Sequence, residues 1–208
     1  ATVNTVLLMG VAIASPIGDI VESTGVGSLL RESTDKVEAT VGEEIQLNDT
    51  AQTAKGRMLI KFLDEAELSL IEHTKVYIDK VYYDPDPSKS KMVMKMALGT
   101  ARFASGRLGM VPKQNIDIST PTATIAVRGT DFTSTVDELG RSLVILLPDE
   151  YGNPSGEIVV SNDAGSVTLT QAYAATMVSS VATPPTQRVV IDNITPAIID
   201  NMFIVQPP

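Results

Sequence analysis

Hydrolysis or group transfer needs a positioned base, a nucleophile or a metal. The chain has one histidine, His73, in Glu72-His73-Thr74. A lone histidine between two strands reads as a surface residue. Cysteine is absent, which excludes disulfides, thiolate metal sites and cysteine nucleophiles. No Gly-rich phosphate loop, His-x-x-x-His pair or G-x-S-x-G elbow occurs, so the common catalytic arrangements are missing together. The expectation is a protein that is not an enzyme and that holds neither cofactor nor metal.

Carboxylates are the remaining site candidates. Asp84-Pro85-Asp86-Pro87 offers oxygens to a calcium ion, but it lacks the ligand number and spacing of a calcium loop. The structural alternative is a rigid turn in which both prolines fix φ and both aspartates cap nearby amides. Weak calcium binding at Asp84 and Asp86 stays open at this level.

These residues need elements to position them. The central region alternates as half-buried strands do: Met58, Ile60 and Phe62 fall on one face, Arg57 and Lys61 on the other. Further strands are expected at Ile45–Leu47, Met92–Leu98, Asn115–Ile118, Ala123–Val127, Phe132–Val136, Ser142–Leu147, Glu157–Val160 and Ser166–Leu169. Turn signals recur about every ten residues, from Gly42 and Asp64-Glu65 to Gly152-Asn153-Pro154 and Asp163-Ala164-Gly165. The fold class that follows is all-β, a sandwich, barrel or short solenoid, with no long amphipathic helix. The expected core comprises Met58, Ile60, Phe62, Leu68, Leu70, Ile78, Ile125, Val127, Phe132, Val144, Ile145 and Val160.

At 208 residues and 43% apolar the chain can bury one sizeable core. Its formal net charge of −9 argues against nucleic acid as a partner, since phosphate binding is driven by Lys and Arg. The charge is uneven: residues 1–50 carry eight acids and two bases, whereas residues 55–113 carry eleven of the sixteen bases. That asymmetry suits head-to-tail contacts between copies, and equally a solvated surface that keeps the protein soluble.

The segment Thr120-Pro121-Thr122-Ala123-Thr124-Ile125-Ala126-Val127-Arg128-Gly129-Thr130-Asp131-Phe132 resembles the signature of FecR-like domains. Physically it is a strand followed by a tight turn at Gly129. The resemblance extends upstream through Val76-Tyr77-Ile78-Asp79, the Tyr83-Asp84-Pro85 turn and Arg102-Phe103-Ala104-Ser105-Gly106, and earlier to Gly42, Ile45 and Asp49. Downstream it continues through Thr133–Asp137, Gly140 and Val159–Gly165, so about residues 17–178 are covered. Two positions depart from the pattern. Ala126 stands where the family usually has Gly, and Asp64-Glu65 occupies a hairpin tip that is often Asp-Gly; both should perturb only local backbone. Pro121, Arg128, Gly129, Thr130 and Phe132 are the structural signature that the resemblance implies. Arg128 is expected to bond main-chain carbonyls or an acid such as Asp131. FecR itself resembles this chain only in its extracytoplasmic part, so its signalling role is not carried over. Stand-alone FecR-like domains occur in secreted proteins and in virion-associated proteins of marine phages, and the chain resembles the second kind.

The expected organisation is an apolar N-terminal arm or strand over 1–16, a FecR-like β domain over 17–183 and a tail with a short helix over 184–208. Thr5–Pro16 resembles the apolar part of a secretory signal, but no Lys or Arg precedes Arg31, so it is read as a structural arm. No apolar run approaches the roughly 20 residues needed to span a bilayer as a helix. In the tail, Thr195 as N-cap and Pro196 at the first position start a helix over Thr195–Phe203. Leu7, Leu8, Ile198, Ile199, Met202 and Phe203 are the candidate assembly residues. The expected function is that of a structural, homo-oligomeric phage virion component, tail- or capsid-associated, whose partners are itself and other virion or envelope proteins. The alternative is a secreted or periplasmic binding or sensor module for a protein or glycan.

Overall fold

The computed structural model describes residues 15–32, 35–107, 115–195 and 197–198. Long strands arise where alternation is sustained. In β1 (Gly18–Leu30) the buried positions are Gly18, Ile20, Ser28 and Leu29, with Gly25 and Gly27 between them. β2 (Lys36–Glu38) and β3 (Glu44–Ile45) pair along one side of β1, and β4 (Thr50–Phe62) pairs along the other. Next come β5 (Glu67–Leu70) and β6 (Lys75–Tyr82), which lie end to end between β4 and the 14-residue β7 (Lys91–Ala104). β8 (Ile116–Ser119) runs parallel to the first half of β7, and β10 (Asp131–Val136) runs antiparallel to its second half. From β8 the sheet continues through β9 (Thr124–Arg128), β12 (Glu157–Asn162) and β13 (Gly165–Leu169). From β10 it continues through β11 (Ser142–Leu146), β14 (Ala174–Val178) and β15 (Val189–Val190).

Among the described residues the fifteen strands form one continuous sheet, folded over on itself along a line of bends. The crease crosses β1 at Gly25 (φ 71) opposite Gly56 of β4, the β5–β6 break at His73 (φ 56), and β7 at Gly99 (φ 91). A Cβ at Gly56 would lie 2.0 Å from Thr24 O, so the two strands cross there with no room for a side chain. Bent strands that switch layers are how a sandwich makes its corners. Threonines satisfy the backbone that the bend leaves unpaired: Thr74 N–H donates to Thr53 Oγ1 (3.1 Å), and Thr100 N–H to Thr74 Oγ1 (3.1 Å).

The core lies between the folded halves. Phe103 and Phe132 face each other across β7 and β10, ring centroids 5.9 Å apart, among Met92, Met94, Met96, Leu68 and Ile118. All twelve residues expected in the core are buried. Ile145 belongs to a second cluster, with Leu147 and Ala175, on the outer face of β11 and β14. Leu143, Tyr173, Ile191 and Ile194 pack against that cluster. The described part of the tail therefore completes the body through β15 and two isoleucines.

The expected all-β class stands. Of the expected C-terminal helix, the described residues contain a helical turn at 197–198, where Ile198 N–H reaches Thr195 Oγ1 at 3.3 Å, as the N-cap reading requires. Pro196, Ile199, Met202 and Phe203 lie outside the described residues, as do Leu7 and Leu8 and the whole arm over 1–14. Among the described residues no helix is long and apolar enough to cross a membrane.

Candidate functional site

The signature segment is a corner that carries the chain from one half of the folded sheet to the other. Thr120 closes the turn before β9: its N–H donates to Ala123 O (2.8 Å) and its Oγ1 accepts from Ala123 N–H (3.0 Å). Pro121 is exposed on this turn, and Thr122 Oγ1 meets Ser142 Oγ at 2.7 Å, which ties the turn to β11. β9 then alternates, with Ile125 and Val127 inward and Thr124 and Arg128 outward. Gly129 follows in the left-handed region at φ 54, as the tight-turn reading expects. Thr130 is buried, Asp131 N–H donates to Ser155 Oγ (2.9 Å), and Phe132 enters the core.

Arg128 bonds an acid, one of the two kinds of partner expected, but the acid is Glu157 and not Asp131. Its side chain is exposed, and its guanidinium pairs with Glu157 across β9 and β12 at 3.0 Å. Asp131 is held instead by Arg102 in a two-point contact, Nε to Oδ1 at 2.9 Å and Nη2 to Oδ2 at 2.7 Å. The reason is periodicity: with Val127 inward, residue 128 must face out, and the acid opposite it on the neighbouring strand is Glu157.

Asp84 and Asp86 form the turn that the structural alternative describes. Asp84 Oδ1 accepts from Asp86 N–H (2.8 Å), and Asp86 Oδ1 accepts from Ser88 N–H (3.0 Å). Pro87–Lys89 form a short 3-10 turn with Asp86 as its cap. Among the described residues no group of three or more His, Asp or Glu is placed to hold a metal ion.

Two grooves open along the crease and share His73 and Leu98 in their walls. The larger, about 510 Å³, runs from Glu72 and His73 to the β10–β11 tip at Glu138 and Leu139. The smaller, about 290 Å³, is walled by Val26, Lys36, Gln52 and Lys75. Acids thus stand at one end of the crease and lysines at the other. Asp137 and Arg141 pair within the larger groove at 2.5 Å. Desolvation pushes the Asp137 carboxyl up, but hydrogen bonds from the Arg141 side chain and from the Arg141 and Leu139 amides together hold it below the usual range. The result is one open surface of mixed charge along the crease. Sequence reasoning missed it, because it exists only where separate strands bend side by side. The glycines at 25, 56 and 99 were the one available signal.

Comparison with known proteins bears on the same region. The family model described as FecR protein matches residues 49–148, from the start of β4 through the loop after β11 and including the whole signature corner. That span is narrower than the 17–178 read from the motifs. No curated protein matches the chain. A crystal structure of a proposed anti-sigma factor from Parabacteroides distasonis aligns at a TM-score of 0.49 and 13% identity, over 68% of this chain. The chain spans 58% of that protein's length.

Proposed function

Since this chain carries a FecR-like domain, we propose that it is a non-enzymatic structural protein, a tail- or capsid-associated component of a phage virion that assembles as a homo-oligomer. One observation carries the reading. The charged groups that sequence motifs single out are engaged in structure: Arg128 with Glu157, Arg102 with Asp131, Asp84 and Asp86 with main-chain amides. Apolar side chains, by contrast, are presented where the sheet ends, at Val189 and Val190. Surfaces of that kind favour contact between chains over chemistry. The expectation, read from the sequence alone, that the arm over 1–16 and the segment Thr195–Phe203 make assembly contacts points the same way.

A second reading, a secreted or periplasmic module that recognises a protein or glycan, draws on the groove of about 510 Å³ beside His73. The two differ in where binding energy sits, in chain-to-chain contacts or in the crease. Light scattering on the full chain over a wide concentration range tests the first: oligomers of defined size are expected, and a strict monomer at every concentration overturns it. The genes beside this one discriminate further, since tail or capsid genes fit only the virion.

A further inference from the structure

The sheet ends on β15, and among the described residues nothing pairs with its outer edge. Ile191 turns its N–H inward to Tyr173 O at 3.0 Å. Successive residues of an extended strand bond to opposite sides. Val189 therefore bonds inward as well and Val190 turns its main-chain groups outward; the same alternation, continued beyond the two residues of β15, would turn Arg188 and Asp192 outward too. Val189 and Val190 stay 59% and 49% exposed, and neither Arg188 nor Asp192 has a side-chain partner among the described residues. No proline or lysine blunts the edge between Gln187 and Asp192. Such an edge is a template for another strand.

We propose that this edge pairs with the same edge of a second copy, antiparallel about a two-fold axis through Val190. The inference rests on the homo-oligomeric reading above. In this register the outward groups of Val190 meet those of the second copy's Val190, and Arg188 stands opposite the second copy's Asp192, twice by symmetry. Registers centred on Arg188 or on Asp192 would use the same outward groups but would set like charges against each other. The charge pattern selects the Val190 register. An edge built on the two residues of β15 and their flanks is small beside the area that holds a stable free dimer, so the contact acts together with others in a larger assembly.

The chain has no cysteine, so Val190→Cys in the full chain reports the contact directly. Under mild oxidation it is expected to form disulfide-linked pairs faster than Val181→Cys, a control position of similar exposure (56%). Adding Arg188→Asp sets acid against acid at both ends and should slow pairing about tenfold. Adding Asp192→Arg to that variant restores opposite charges and should restore the rate. A Val190→Cys rate no faster than the control, or a loss on Arg188→Asp that Asp192→Arg does not rescue, overturns the pairing. Light scattering on the same samples separates the two ideas. A higher oligomer without a Val190→Cys preference refutes the edge and leaves the assembly reading standing, whereas a strict monomer refutes both.

Discussion

Gly129 and Glu65 both hold positive φ, at 54 and 73, and they make opposite predictions. At Gly129 the left-handed backbone is needed to carry the chain between layers, and the corner is crowded: a Cβ on neighbouring Gly156 would lie 2.1 Å from Gly129 O. A β-branched residue at 129 meets its own following carbonyl in this left-handed conformation. Gly129→Val should destabilise by about 2 to 3 kcal/mol, and a thermal melt matching the unsubstituted protein would remove the turn from this account. Glu65 occupies the hairpin tip where FecR-like domains often have Gly, and its side chain is exposed. Glu65→Gly relieves about 1 kcal/mol of left-handed cost, offset in part by the greater freedom of glycine in the unfolded chain. A gain of roughly 0.5 kcal/mol is expected, read as a raised urea midpoint at unchanged slope; a clear loss would show that the Glu65 side chain holds the tip.

At the scale of elements, Arg31 at the end of β1 clasps the segment that crosses from β3 to β4. Its guanidinium reaches Glu43 at 2.7 Å and Asp49 at 3.6 Å, while Asp49 also accepts Gln46 N–H at 2.9 Å. Burial raises the Asp49 carboxyl above its ordinary value, outweighing the Gln46 bond and the Arg31 charge that lower it. A carboxyl raised on folding contributes stability that is full below its unfolded pKa, about 3.9, and is lost as pH rises through the folded value. Relative to Asp49→Asn, the natural chain should therefore be favoured more at pH near 3.5 than at pH near 7 in urea titrations. A gap that widens toward neutral pH would show that attraction to Arg31 dominates instead. The clasp also bears on legibility. β4 to β13 could be read because apolar residues alternate there over several positions. β1 could not, since register shifts at Ile20/Glu22 and Gly25/Gly27 break its period. β14 hides in Ala174–Val178 because small residues give no contrast, and β7 runs on through Gly99, which reads locally as a stop. Arg128 was legible in principle, since the inward Val127 dictates an outward neighbour. The crease grooves were not, because only the fold brings their walls together.

For the whole molecule, the question is where the body stops and the connectors begin. A boundary at residue 183 would remove β15 from the sheet and strip Ile191 and Ile194 from Ile145, Leu147 and Ala175. Each isoleucine contributes roughly 1.5 to 3 kcal/mol when fully buried, and both are only partly buried, so a protein spanning Ile17–Thr183 should lose a few kcal/mol and expose the second cluster. A protein spanning Ile17–Thr195 keeps that cover and the free edge, but lacks the apolar runs at both ends. It should therefore fold cooperatively and associate no further than a weak pair, while the full chain forms larger oligomers. Circular dichroism melts and light scattering on the three proteins side by side test this. If Ile17–Thr195 is unfolded, the ends belong to the domain's own core and not to assembly. If it forms the same oligomer as the full chain, assembly runs through the body, and the apolar ends have some other role.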